Sequence, residues 1–147
     1  MIALIALAAA SAAQTASPNV AIFQSGRCHQ ARGARWKICA EDLDASARIE
    51  KIADLNGDGR PEAIVSEDGS YCHGAAGTGF MLLSQQADGK WKPIVTMDGI
   101  PELLTTRGAG GWPDISVGGP GFCFPVLRWN GRVYANHRRE YEGKPCR

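Results

Sequence analysis

The chain has almost no net charge, with 16 Lys and Arg against 15 Asp and Glu, a formal balance of +1 over 147 residues. Opposite signs alternate along it, so no long-range field draws it to nucleic acid or holds it on an anionic membrane. Basic positions such as Arg138, Arg139 and Lys144 read first as solvated surface. Familiar catalytic signatures are missing as well: there is no GxSxG elbow and no HExxH helix. The Gly-rich stretch Gly74 to Gly79 lacks the Lys and the Ser or Thr spacing of a phosphate loop. The adjacent acids Glu67 and Asp68 make a poor acid and base pair, because neighbouring residues on a strand point to opposite faces. None of the five cysteines sits in a CxxC pair, which speaks against a redox or zinc module.

What the chain does hold is turn-forming residues, 18 Gly and 8 Pro, most of them between short apolar runs. That punctuation predicts many short strands. The length leaves room for one domain with a modest core once the N-terminus is set aside. Residues 1–13 read as a signal peptide, an apolar stretch too short to span a bilayer, with Ser11 and Ala13 suiting the cleavage positions. Residues 14–19 read as a flexible tether. Cys28, Cys39, Cys72, Cys123 and Cys146 then lie in the exported part, where an oxidising compartment favours disulfides. Cys28 with Cys39 and Cys72 with Cys123 are the expected pairs, with Cys146 left over or displacing one of the others. His29 and His73, each next to a cysteine, are expected to be exposed neighbours of disulfides rather than metal ligands.

From Val20 to Ala40 two strands, VAIF and RWKIC, are expected, then a short helical turn over 41–47. The pattern sharpens after that. ARIEKIAD, EAIVS, GFMLLSQ and KWKPIVTM alternate like strands and are separated by turn residues. A second series follows: IPELLTT, PDISVG, FCFPVLRW and RVYANH. Set side by side, GRPEAIVSEDG lies over GWPDISVGGPG, GFMLLSQ over GFCFPVL, and ADGKW over WNGRVY. A fixed order of motifs marks a repeated supersecondary unit, with boundaries near 47–97 and 98–137. The expected fold is therefore all-β and mostly antiparallel, two tandem four-stranded units packed as a small two-sheet domain of residues 20–147. Pro125 inside the third strand of the second unit predicts an edge or a bulge there.

The segment DLNGDGRPE carries the chemistry. It spaces side-chain oxygens at Asp54, Asn56, Asp58 and Glu62, with the backbone carbonyl of Arg60 between the last two, in the one, three, five, seven, nine rhythm of a calcium loop. A hard cation wants oxygen donors of this kind, without sulfur or imidazole. Val65 replaces the bidentate Glu at position twelve and no helix pattern flanks the loop, so an EF-hand is excluded in favour of a strand-loop-strand site.

At these residues the sequence resembles a known family. ADLNGDGRPEAIV followed by GWPDISVGG is similar to the FG-GAP or VCBS type of repeat, whose units in integrin-like β-propellers carry an acidic calcium loop between the first strands of a blade. The resemblance spans about residues 47–136 and implies calcium in the first unit, whereas the second keeps only Asp114 of the acidic set. Two units are fewer than a closed propeller requires.

Functionally, these residues point to a periplasmic or secreted binding module with a structural calcium loop, contacting a protein or glycan without stable membrane insertion. Trp112, in the loop GAGGWPD, and His73 are the expected exposed contacts. Trp91 and Trp129 are expected to fill equivalent core positions. A rival reading is an inhibitor or immunity-type protein that blocks a cell-wall enzyme through a rigid loop such as 72–78. A third is a small secreted hydrolase.

Overall fold

The structure, a computed structural model, describes residues 17–147. The expected signal peptide lies outside the described residues, and the tether expected over 14–19 meets a helix, α1 (Pro18–Ser25), with proline in its first turn. A proline is well placed there, since the first helical N–H has no partner to lose. The strand expected at VAIF is thus a helix. Its apolar residues cover a sheet rather than join one: Ile22 and Phe23 are buried, and the Phe23 ring stacks on Trp36 at 5.4 Å.

The rest of the fold is antiparallel β-structure in two sheets. The first holds β1 (His29–Gln30), β2 (Trp36–Lys37), β3 (Ala47–Ala53), β4 (Glu62–Asp68), β5 (Thr78–Gln85) and β6 (Trp91–Asp98) in sequential order. The second holds β7 (Ile100–Arg107), β8 (Pro113–Gly118), β9 (Phe124–Trp129), β10 (Tyr134–Tyr141) and β11 (Lys144–Pro145), again in chain order. Eight of these strands, β3 to β10, form where the alternating runs placed them. No helical turn forms over 41–47; instead the Asp42 carboxylate accepts the N–H groups of Asp44 and Ala45, and Ala47 opens β3. Short polar side chains compete with helix in this way.

β4 explains the layering. Only its last residue is exposed, because both faces of the strand are covered. Ala63 and Val65 pack with Ile22, Phe23, Met81 and Leu83 beneath α1, whereas Ile64 packs with Phe80, Leu82, Ile115, Val117 and Leu127 against the second sheet. The first sheet is therefore the middle layer of three. Trp91 and Trp129 are half-buried against these two cores, one on each.

Three expectations about the second unit and the cysteines need correction. The two Gly-Phe motifs are not equivalent: Phe80 is buried, but Phe122 is 72% exposed and lies before β9 begins. Pro125 is not on an edge, since β9 lies between β8 and β10; the register irregularity beside it falls on the facing strand, between Asn136 and Arg138 of β10, and the β8 ladder to β9, which includes Ile115 with Leu127 and Ser116 with Val126, stops short of the proline. Neither expected disulfide forms. Cys39 joins Cys72 and Cys123 joins Cys146, while Cys28 is a buried free thiol. The reason is positional: Cys28 follows α1 into the outer core, with burial first and the nearby Glu67 second holding its thiol up at about 11. Each disulfide instead ties a flanking segment to one unit.

Candidate functional site

Asp54 to Glu62 forms the connection from β3 to β4, and its acids are drawn into the loop's own hydrogen bonds. Asp54 accepts the N–H groups of Gly57 at 2.8 Å, Asp58 at 3.2 Å and Gly59 at 2.8 Å. Asn56 Oδ1 accepts from the Asp58 amide at 2.9 Å, and Asp58 Oδ1 from the Arg60 amide at 2.8 Å. Gly57 and Gly59 make this wrapping possible, with φ of +79° and +82° that a side chain would resist. The Gly59 amide first, opposed by burial and helped by the other amides, holds the Asp54 carboxyl below the usual range. Arg60 turns its guanidinium back onto Asp58 at 2.6 Å.

Glu62 behaves differently. It is 1% exposed, accepting from the Leu55 amide at 2.8 Å and the Ser84 hydroxyl at 2.8 Å. Burial pushes its carboxyl up, the two hydrogen bonds oppose this, and the negative charges of Asp58 and Asp54 add to the rise. The donor set therefore fits a hard divalent cation in its chemistry: oxygen only, with a repulsion that such a charge would relieve. Among the described residues, the tight group of three His, Cys, Asp or Glu ligand atoms is Cys39, Glu41 and Cys72, not this loop, and two of those three are spent on a disulfide.

The second unit places Asp114 where the first has Glu62, each just after a proline at the start of a strand. Asp114 is fully buried, but Arg128 grips it with two bonds of 2.9 and 2.8 Å, Arg138 adds one of 2.9 Å and the Thr106 hydroxyl one of 2.6 Å. Burial alone would raise its carboxyl; these donors outweigh burial and hold it well below the usual range. The loop before it, Gly108 to Trp112, leans on the acidic loop. Arg107 donates to the carbonyls of both Leu55 and Gly111.

The two residues expected to be exposed contacts are both interior. Trp112 is 8% exposed, packed on Trp129 at 5.3 Å and edge-on to Tyr134 at 6.1 Å. Its ring completes the core between the sheets, so it cannot serve as a surface platform. His73 is 7% exposed, with Nδ1 2.7 Å from Asp98 and Nε2 3.1 Å from the buried Glu67. Glu67 also accepts the amides of Ile38 and Cys39, docking the N-terminal segment. The imidazole lies so close over β5 that a Cβ at Gly79 would collide with it. Burial opposes the imidazolium, but the bonds to Asp98 and Glu67 outweigh it and raise the pKa. His73 thus ties β6 to the buried Glu67 of β4.

A cleft of about 640 Å3 opens between β3 and β4 on one side and β7 on the other. Ile64, Ile100, Pro101 and Leu103 give it apolar walls, and Arg48, Glu50, Lys51, Asp68 and Glu102 give it charge. Arg48 bridges Glu50 and Asp68 at 2.6 Å each, and Ser66 donates to Glu50. Ser66 thus faces a carboxylate, and the imidazole of His73 is engaged by Asp98 and Glu67. Just past Asp68 the chain turns through α2 (Ser70–His73), where the Cys39–Cys72 bond fixes an aromatic that is 75% exposed, Tyr71. The sequence reading overlooked this cleft, because its charged lining falls on strands whose acids looked like ordinary solvated faces.

No described helix is long and apolar enough to cross a membrane. Compared with family models, with curated proteins and with solved structures, the chain matches none.

Proposed function

We propose that this chain is an exported binding module of FG-GAP-like build, with a structural calcium loop at Asp54 to Glu62 and its contact surface along the cleft between the sheets. The observation that carries this reading is the cleft itself. Its size is that of a ligand site, its walls mix apolar and charged groups, and Arg48, Glu50 and Asp68 are paired with one another while Lys51 and Glu102 have no ion-pair partner among the described residues. Such a lining suits a peptide segment or a glycan. Tyr71, exposed on the disulfide-fixed turn that follows Asp68, supplies a rigid aromatic anchor, the residue type that dominates binding hot spots.

The calcium part of the proposal is supported by the contrast between Glu62 and Asp114. The second acid has two guanidinium groups around it, whereas the first has a hydroxyl and an amide. Asp54, Asn56, Asp58, the Arg60 carbonyl and Glu62 would hold the ion, which would pin β3 to β4. An affinity of roughly 0.1 to 1 mM is expected, the range of extracellular modules.

Two measurements test this. Calorimetric titration of chelator-treated protein with calcium should give saturable heat that Asp58→Ala loses; equal heats from the two would end the calcium assignment. Peptide and glycan arrays probed with the folded protein should give hits that weaken about tenfold in Tyr71→Ala. Hits indifferent to Tyr71 and to Ile100→Asp would remove the cleft from the reading.

The inhibitor reading keeps one specific support. The disulfide-fixed turn carrying Tyr71, together with Leu43 at 80% exposure beyond Cys39, is the kind of rigid apolar projection that an enzyme cleft accepts. Stoichiometric loss of cell-wall hydrolase activity on adding the protein would select it.

A further inference from the structure

A second concavity, of about 500 Å3, lies over β10, separated from β7 and the cleft by β8 and β9. It is lined by Asn136, His137, Arg138, Arg139, Cys146 and Arg147, with no acid among them. Three features make it more than a run of solvated basic residues. The register of β10 against β9 skips from Asn136 to Arg138, so His137 is the extra residue of a β-bulge. Bulges re-aim side chains and recur beside functional sites. The opposite wall is held in place twice, by the Cys123–Cys146 disulfide and by the Cys146 amide donating to the Arg139 carbonyl at 3.2 Å.

The cations in this pocket are also unequal. Arg138 is spent, since Asp114 and Glu140 take its guanidinium at 2.9 and 2.8 Å. Arg139 makes a single long bond, 3.4 Å, to the Cys123 carbonyl. Arg147 and His137 have no hydrogen-bond or ion-pair partner among the described residues, and both are exposed. Two guanidinium groups without an acidic side-chain partner beside one pocket suit a phosphate group, about −1.5 to −2 near neutral pH, and their forked donors match its oxygens.

We propose that the pocket over the β10 bulge is a phosphate-binding site in which Arg139 and Arg147 grip the oxygens of a phosphate-bearing ligand and His137 and Asn136 line its approach. Inorganic phosphate is the probe. Titrated into isotope-labelled protein, with sodium chloride at matched ionic strength as the reference, it should shift the amide signals of residues 136–139 and 147 along a saturable curve. Arg147→Gln, at an exposed position without internal bonds, should fold normally and weaken binding about tenfold, as should Arg139→Gln. Acetate should bind more weakly than phosphate. Shifts that track ionic strength alone, binding unchanged in both variants, or acetate binding as tightly as phosphate would each overturn the assignment. The cleft and the calcium loop have no part in this test, so it stands or falls separately from the proposed function.

Discussion

The two units meet the same physical problem, a carboxylate at the buried start of their second strand, and answer it differently. In the second unit Arg128, Arg138 and Thr106 surround Asp114, so the carboxyl stays charged and the chain supplies the compensating cations itself. In the first, Glu62 receives an amide and a hydroxyl, and burial beside Asp54 and Asp58 pushes its carboxyl upward. Both units thus set an acid just after a proline at the start of a strand, but only the second surrounds that acid with guanidinium groups.

Breaking the internal counter-charge should produce the largest effect. Asp114→Asn leaves two guanidinium groups facing a neutral amide, and denaturant unfolding should show a loss of about 3 to 5 kcal/mol. A loss as small as that of a surface change would mean that the clamp is solvated. Next come the covalent ties, one for each unit. Replacing Cys123 and Cys146 by Ser, or Cys39 and Cys72 by Ser, opens loops of 23 and 33 residues, so each double variant should lose about 3.5 kcal/mol in the same measurement.

Smaller effects sharpen the contrast. Excess calcium at ten to one hundred times its dissociation constant should stabilise the wild type by about 1.4 to 2.7 kcal/mol in thermal unfolding, and should leave Asp58→Ala where it was. Without calcium, the raised carboxyl of Glu62 favours the fold while it is protonated; that contribution falls away as pH rises from the ordinary Glu range through the raised folded value. Glu62→Gln should remove this slope, whereas Asp114→Asn should remove the opposite one, a contribution that is present above the ordinary Asp range and lost as pH falls. The smallest expected effect is that of His73. Its raised pKa means full stabilisation below the ordinary histidine range and loss as pH rises through the folded value, a slope absent in His73→Gln. An unchanged profile in that variant would show that Glu67 holds the N-terminal segment unaided.

Strands β3 to β10 were legible in the sequence because alternation and turn dipeptides act locally, residue by residue. VAIF was not, since an apolar run without a period packs equally well as helix or strand, and the covering of β4 by α1 decides the matter. The Phe80 and Phe122 motifs looked alike because a match of letters does not report register; β9 begins two residues after Phe122. Within the site, the oxygen spacing of the acidic loop was readable, but the burial of Glu67, Asp114, Trp112 and His73 was not. Each is covered by residues distant in sequence, and an acid on a strand gives no local sign that an arginine twenty-four positions away will reach it, as Arg138 reaches Asp114. Disulfide partners were illegible for the same reason.

The lone thiol of Cys28 has a consequence for how this chain matures. While the polypeptide is still unfolded, five sulfhydryl groups compete, and any of them can attack a bridge formed by two others. Once α1 settles over the first sheet, the odd one is walled off and held in its unreactive protonated form, so reshuffling stops. Closure of the core is in this sense the step that locks the covalent pattern, and an enlarged gap beneath α1 would scramble bridges that lie far from it.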